Sequence, residues 1–266
     1  MCVHLPTVPA RESSPAPVRL QVHDGIARVA LARPPLNVLD IATLRQLNEA
    51  LRQCDGLDVR VVVISSALPN AFSAGVDIGD HVADRLDAML AEVRENARLL
   101  LNLEPVTIAA IHGSTLGGGA ELALLCDLVI AAEDAVVAFP EIGLAAFPPV
   151  AAALLPERLP WAITMPLLLG ESIDALRAHQ LGIVSAVVPR PGLDEAALDR
   201  AKTLARYSAV GLRALTTATR IERAAAILQR IDRAIATYQT LICPSRDARE
   251  GIDAYLEKRA PTWSHH

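Results

Sequence analysis

With 266 residues, 52% apolar but only 3% aromatic, the chain can bury one sizeable core built mainly from Ala, Val, Leu and Ile. Its longest uncharged stretches, residues 105–120 and 142–156, are interrupted by His112 and four glycines and by three prolines. They fall short of the roughly 18 apolar residues of a membrane-spanning helix, so no membrane segment is expected. A formal net charge of -5 counts against a general nucleic-acid binder.

Four cysteines (Cys2, Cys54, Cys126 and Cys243) lie far apart without metal spacing, and Cys126 sits in an apolar run that suits a buried thiol. The N-terminus has no basic segment followed by an apolar run, so a reducing cytoplasm is the expected location. Residues 1–17 hold four prolines and two serines and read as a disordered extension.

Order is expected from Val18. Residues 18–23 and 26–32 alternate around Asp24-Gly25, a hairpin signal. Asp40 is placed to cap a helix with Ile41, Leu44, Leu47 and Leu51 on one face. The β-branched run at 61–64 suits a strand buried on both faces. After a loop from Ser65 to about Asp80, Val82, Leu86, Met89, Leu90, Val93, Ala97 and Leu100 mark a long amphipathic helix.

The order then recurs. A buried strand at 106–111 leads to a glycine turn and a short helix from about Gly119, and strands follow at 128–132 and 136–139. Alternating strand and helix indicates an α/β domain with a largely parallel sheet over residues 18–191. Residues 192–266 are expected to be helical, with helices at 193–206, 209–241 and 246–258. Their apolar faces need a surface on this core or on another subunit.

Two glutamates stand out chemically. Glu121 follows Leu116-Gly117-Gly118-Gly119-Ala120, and Glu141 follows Phe139-Pro140, both in apolar surroundings where an isolated carboxylate is costly. The glycine run follows a buried strand and opens a helix, which leaves free N–H groups and the positive helix end at one spot. It is neither a dinucleotide fingerprint nor a phosphate loop.

Phe72-Ser73-Ala74-Gly75-Val76-Asp77 also follows a buried strand and can turn backbone N–H groups towards a ligand. Each piece alone has a plain structural reading: a tight turn, close packing, or a favourable charge at a helix start. Together, paired carboxylates and two N–H-bearing turns suit proton transfer beside a polarised carbonyl. His112 reads as a hydrogen-bonded core histidine, His23, His81 and His179 form no metal pattern, and the Arg-rich helices suit solvated or inter-subunit faces.

These motifs resemble the enoyl-CoA hydratase/isomerase (crotonase) family across roughly residues 18–259. The matching stretches are 70–78, Ile111-His112-Gly113 through Leu122, Pro140-Glu141-Ile142-Gly143-Leu144, and 169–189. The resemblance implies a ββα spiral core with a helical C-terminal region used in a homotrimer or a dimer of trimers. It implies an acyl-CoA thioester substrate, with coenzyme A entering only as part of that substrate, and no metal.

The same resemblance places an oxyanion hole at the N–H groups of Val76 and Gly118, and assigns Glu121 and Glu141 as the catalytic pair. Arg33 and Leu36 match the loop lining the CoA site. Ala74, Asp77 and Ile78 match positions along the nucleotide and pantetheine path, and Gly117 belongs to the same substrate-binding turn. Retention of both glutamates favours hydration within the family. Isomerisation, C–C hydrolysis or a catalytically silent acyl-CoA-binding role are the alternatives.

One segment departs from ordinary hydratases. Ala145-Ala146-Phe147-Pro148-Pro149 stands where a glycine-rich segment is usual, and proline fixes φ. Phe147 and Pro148 are expected to wall the acyl pocket. The pattern, with Leu256-Glu257-Lys258-Arg259 and Trp263, looks like that of hydratases acting on a cyclic dienoyl thioester in anaerobic aromatic degradation. A linear enoyl-CoA is the other expectation.

Overall fold

A computed structural model describes residues 16–55, 58–82 and 84–266, so the extension expected over residues 1–17 falls almost wholly outside the described residues. Strands β1 (Val18–His23) and β2 (Ile26–Leu31) form the expected hairpin. Asp24 and Gly25 both take positive φ (53° and 76°), which suits the tight turn of a twisted hairpin. Helix α1 (Ile41–Asp55) starts where Asp40 Oδ1 accepts from the Thr43 N–H at 2.8 Å, and its expected stripe is buried.

Three ββα turns follow. The first runs β3 (Val61–Ser66), β4 (Ala71–Ser73) and α2 (Leu86–Asn102). The second is β5 (Val106–Ile111), β6 (Ser114–Leu116) and α3 (Gly118–Leu125). The third is β7 (Leu128–Ala132), β8 (Val136–Ala138) and α4 (Pro149–Arg158). Helix α5 (Trp161–Leu168), strand β9 (Ile173–Asp174), helix α6 (Ala175–Gln180) and strand β10 (Ala186–Val188) complete the spiral.

The first strands of each turn build a six-stranded sheet ordered β1-β2-β3-β5-β7-β10, parallel except for β1. The second strands build a smaller sheet ordered β4-β6-β8-β9. Each chain segment thus leaves the large sheet, enters the small one and returns by a helix. The short strands β4, β6, β9 and β10 were not readable in the sequence, because two or three residues are too few for alternation to show.

Both faces of the large sheet are covered, as the unbroken run in β3 required. Val62, Ile64, Ala109, Ile111 and Val129 face the main core. Val61, Val63, Ile108, Ala110 and Ile130 face Leu193, Ala197 and Ala201 of helix α7 (Leu193–Ala205). Helix α8 (Ala209–Thr237) packs on α2 and α4, and α9 (Arg246–Leu256) packs on the 3-10 turn Pro140–Leu144.

Two expected helices change at their ends. Helix α2 starts at Leu86 rather than Val82, and a separate 3-10 turn, Ile78–His81, precedes it, where Asp77 caps by accepting from the Gly79 N–H at 2.8 Å. Helix α8 passes at its end into a π-helical turn, Tyr238–Ile242. One of the arginines expected on a solvated or inter-subunit face is instead buried within the chain. Arg220 pairs with Asp127 and donates to the carbonyls of Leu103 and Pro105. No helix among the described residues is long and apolar enough to cross a membrane.

Candidate active site

The turns after β4 and β6, the 140–144 turn, the start of α4 and the end of α8 meet around a cavity of about 90 Å³. Ala74, Gly75, Val76, Ile78, Gly117, Gly118, Glu121, Glu141 and Phe147 all line it. Residues up to 73 positions apart in sequence, Ala74 to Phe147, thereby share one wall, because each ββα turn brings its loop to the same edge of the small sheet.

Glycine is demanded at this edge by contact. Gly117 has φ +49°, and a Cβ there would collide with Oε1 of Glu141. A Cβ on Gly118 would lie 2.6 Å from Cγ2 of Val76 and 3.4 Å from the Val76 nitrogen. The Val76 and Gly118 backbones therefore lie side by side. Among the described residues, neither N–H donates to a protein acceptor. The Gly118 N–H is one of the free donors at the start of α3.

Glu121 stands in the first turn of α3, 4% exposed. Its Oε1 accepts from the Val150 N–H (2.7 Å) and the Ala151 N–H (2.8 Å). These are free donors of the first turn of α4, which Pro149 opens without an N–H of its own. Burial raises the Glu121 carboxyl to about 7, against the pull of these two donors.

Glu141 sits on the 3-10 turn after Pro140, and its Oε2 is buried without a hydrogen-bond partner among the described residues. Burial, then the Glu121 charge, pushes its carboxyl up to about 8. No cation pairs with either carboxylate among the described ion pairs. Near neutral pH, one carboxyl is thus poised to accept a proton and the other to give one.

The Phe147-Pro148-Pro149 segment divides its expected role. Phe147 and Pro149 line the cavity, whereas Pro148 does not; it precedes α4 and helps aim that helix at Glu121. Arg33, Leu36 and Asp77 also lie outside the cavity lining. The Arg33 guanidinium fastens its own loop, 2.9 Å from Asp40, 3.0 Å from the Val38 carbonyl and 4.0 Å from Asp77. Asp77 is a cap, and the Leu36 carbonyl holds the Ala74 N–H at 2.9 Å.

Sequence reasoning missed His81, Tyr238 and the α2 residues Met89, Leu90 and Val93, which also line the cavity. The α2 residues were visible as an apolar stripe, but nothing in the pattern said which part of the stripe borders a cavity. His81 Nδ1 lies 3.0 Å from the Asp77 carbonyl oxygen, and burial lowers the imidazole. Tyr238 is buried and its ring centroid lies 5.2 Å from that of Phe147. Burial, then the charges of Cys243, Glu141 and Glu121, pushes its phenol upwards, so it stays protonated.

His112 departs from expectation. It is buried, but its Nδ1 has no hydrogen-bond partner among the described residues, and burial with the nearby Arg190 charge lowers it to about 4. The imidazole is therefore neutral. Cys54 and Cys126 are buried thiols, raised by burial to about 11 and about 12. Among the described residues, no group of three or more His, Cys, Asp or Glu is arranged to hold a metal ion.

Comparison with known proteins agrees with this architecture. The pattern of the enoyl-CoA hydratase/isomerase family matches residues 21–266, and the chain belongs to that family. The chain is 35% identical over 255 residues to the cyclohexa-1,5-dienecarbonyl-CoA hydratase of Thauera aromatica, covering 94% of this chain and 97% of the relative. It is 37% identical over 244 residues to the 2,3-dehydroadipyl-CoA hydratase of Escherichia coli K12, covering 88% and 92%. Among solved structures, carnitinyl-CoA hydratase from Mycobacterium avium superposes with a TM-score of 0.83 at 28% identity, over 95% of this chain and all of that one. The fold is the ββα spiral of this family with a helical C-terminal region.

Proposed function

We propose that the protein adds water to a conjugated acyl-CoA thioester, with Glu121 as base, Glu141 as acid and the N–H groups of Val76 and Gly118 as the oxyanion hole. The observation that carries this reading is two carboxyls raised to about 7 and about 8 on one cavity wall, beside two N–H groups without protein acceptors. The lower of the two accepts two backbone hydrogen bonds, which favour its ionised form and suit it to the base role.

In this mechanism Glu121 takes a proton from water as the oxygen bonds to the electrophilic carbon of the conjugated system. The displaced electron pair moves to the thioester oxygen, and the two N–H groups hold the resulting enolate. Losing one such donor costs on the order of 3 kcal/mol of transition-state stabilisation. The enolate collapses as Glu141 delivers its proton to carbon, so one water has been added in all. Proton exchange then restores Glu141. The reaction draws on no cofactor beyond the coenzyme A of the substrate itself.

A compact cyclic dienoyl group is the substrate we favour. The likeness to the cyclohexa-1,5-dienecarbonyl-CoA hydratase supports it, as does a cavity backed by the Phe147–Tyr238 pair. The likeness to the 2,3-dehydroadipyl-CoA hydratase supports the second reading, a linear enoyl-CoA. The enzyme would work in the cytoplasm as a homotrimer or a dimer of trimers.

Loss of the conjugated thioester absorbance with cyclohexa-1,5-diene-1-carbonyl-CoA and with crotonyl-CoA tests the choice. Turnover of the cyclic ester is expected. An inert cyclic ester beside a hydrated linear one would leave the linear reading standing. Incorporation of ¹⁸O from water into a hydroxyacyl product separates hydration from isomerisation.

A further inference from the structure

Behind the reacting cavity lies a second one of about 270 Å³, formed largely by the C-terminal segment. Its walls include Val82, Leu86, Ile242 and Ile252, with Arg249 and Asp253 among its polar members. The two cavities have four residues in common: His81, Leu144, Ala146 and Tyr238. Of these Tyr238 is the largest, and it is only 3% exposed.

Its place is built. Helix α8 widens at Tyr238 into the π turn, where the Cys243 N–H donates to the Tyr238 carbonyl at 3.1 Å. That turn puts Tyr238, Ile242 and Cys243 on the wall of the second cavity. Phe147, from the segment that opens α4, supports the ring from the other side at 5.2 Å between centroids. Two segments remote in sequence thus hold one aromatic ring between two spaces.

We propose that Tyr238 is a specificity-determining partition, confining the reacting cavity to compact acyl groups, and that the second cavity is a distal acyl subsite closed off by its ring. The proposal rests on the acyl-thioester reading of the site. A ring or short chain fits in front of Tyr238, whereas a long linear chain has to pass it. Removing the ring joins the two spaces, and each methylene that then gains burial strengthens binding about fourfold.

The test is the affinity of unreactive saturated acyl-CoA esters, butyryl-CoA and decanoyl-CoA, measured by calorimetry on the full chain and on Tyr238→Ala and Tyr238→Leu. The two truncations guard against one failing to fold. Affinity for decanoyl-CoA relative to butyryl-CoA is expected to rise at least about tenfold in the truncated variants, while Tyr238→Phe, which keeps the ring, leaves the ratio within about twofold of the original. Adding Ile242→Trp to Tyr238→Ala refills the second cavity and is expected to reverse the gain.

An unchanged ratio in folded Tyr238→Ala or Tyr238→Leu overturns the partition, as does an equal gain in Tyr238→Phe. Hydration of cyclohexa-1,5-diene-1-carbonyl-CoA or of crotonyl-CoA by the unaltered chain is followed in parallel. Hydration with an unmoved ratio defeats the partition alone, and a moved ratio without hydration defeats only the hydratase reading.

Discussion

The two ends of α3 handle charge in opposite ways. At its start, Glu121 is buried with two backbone N–H donors and, among the described residues, no cation, facing Glu141, whose Oε2 has no partner among them either. Just past its end, Asp127 meets buried Arg220, and the guanidinium also serves the carbonyls of Leu103 and Pro105. Asp127 accepts further from the Thr107 N–H (2.7 Å) and Thr107 hydroxyl (2.8 Å). The second arrangement saturates a buried charge, and the first leaves carboxyls unneutralised at about 7 and about 8. A charge that serves structure is given its counterion, whereas a buried carboxyl left without one can gain and lose a proton near neutrality.

The sharpest way to break this contrast is to remove the acid–base groups. Glu121→Gln and Glu141→Gln are each expected to lower kcat by about 10²–10⁴-fold with the fold intact, read from steady-state hydration and circular dichroism. Unchanged turnover in both would sink the mechanism. Next in size, Arg220→Ala at the other end is expected to cost roughly 3 kcal/mol in urea unfolding, because Asp127 and two carbonyls lose their donor. Activity per folded molecule should stay within about twofold, since Arg220 is not among the residues lining the cavity.

The same glutamate variants should behave oppositely in stability. In the folded chain both carboxyls hold their protons above the ordinary 4.5, so they favour folding below that value and lose this contribution as pH rises through about 7 and about 8. Glutamine carries no charge to bury. Glu121→Gln is therefore expected to match the unaltered protein at pH 4.5 and to exceed it by up to about 3 kcal/mol at pH 9, seen as a Tm difference that grows with pH.

The smallest effect is kinetic. Hydration needs one carboxyl ionised and the other protonated, so kcat/KM should trace a narrow bell. Its limbs lie near the pair's values of about 7 and about 8, and rate falls about tenfold per pH unit outside them. A flat profile from pH 5 to 9 would contradict the assignment.

Much of this molecule was legible locally. Asp24-Gly25, the Asp40 cap, the stripe of α1 and the doubly buried run of β3 each act through neighbours within a turn or across one strand pair, so periodicity and turn chemistry exposed them. The glycine run and the two glutamates were legible as a costly combination, and they do line one cavity. The start of α2 moved from Val82 to Leu86, and the Asp77-capped 3-10 turn just before it left no mark in the apolar stripe.

What the sequence determined by itself is therefore most of the longer elements, the family and two carboxyls set in apolar surroundings. The tertiary structure decided what surrounds those carboxyls. Val150 and Ala151 donate to Glu121 from 29 and 30 residues away, Arg220 reaches Asp127 across 93, and Tyr238 lines the cavity from the turn that ends α8. These contacts have no local signature. They follow from how helices α4 and α8 bury their apolar faces on one shared core, and that packing is fixed by the whole fold rather than by any window of sequence.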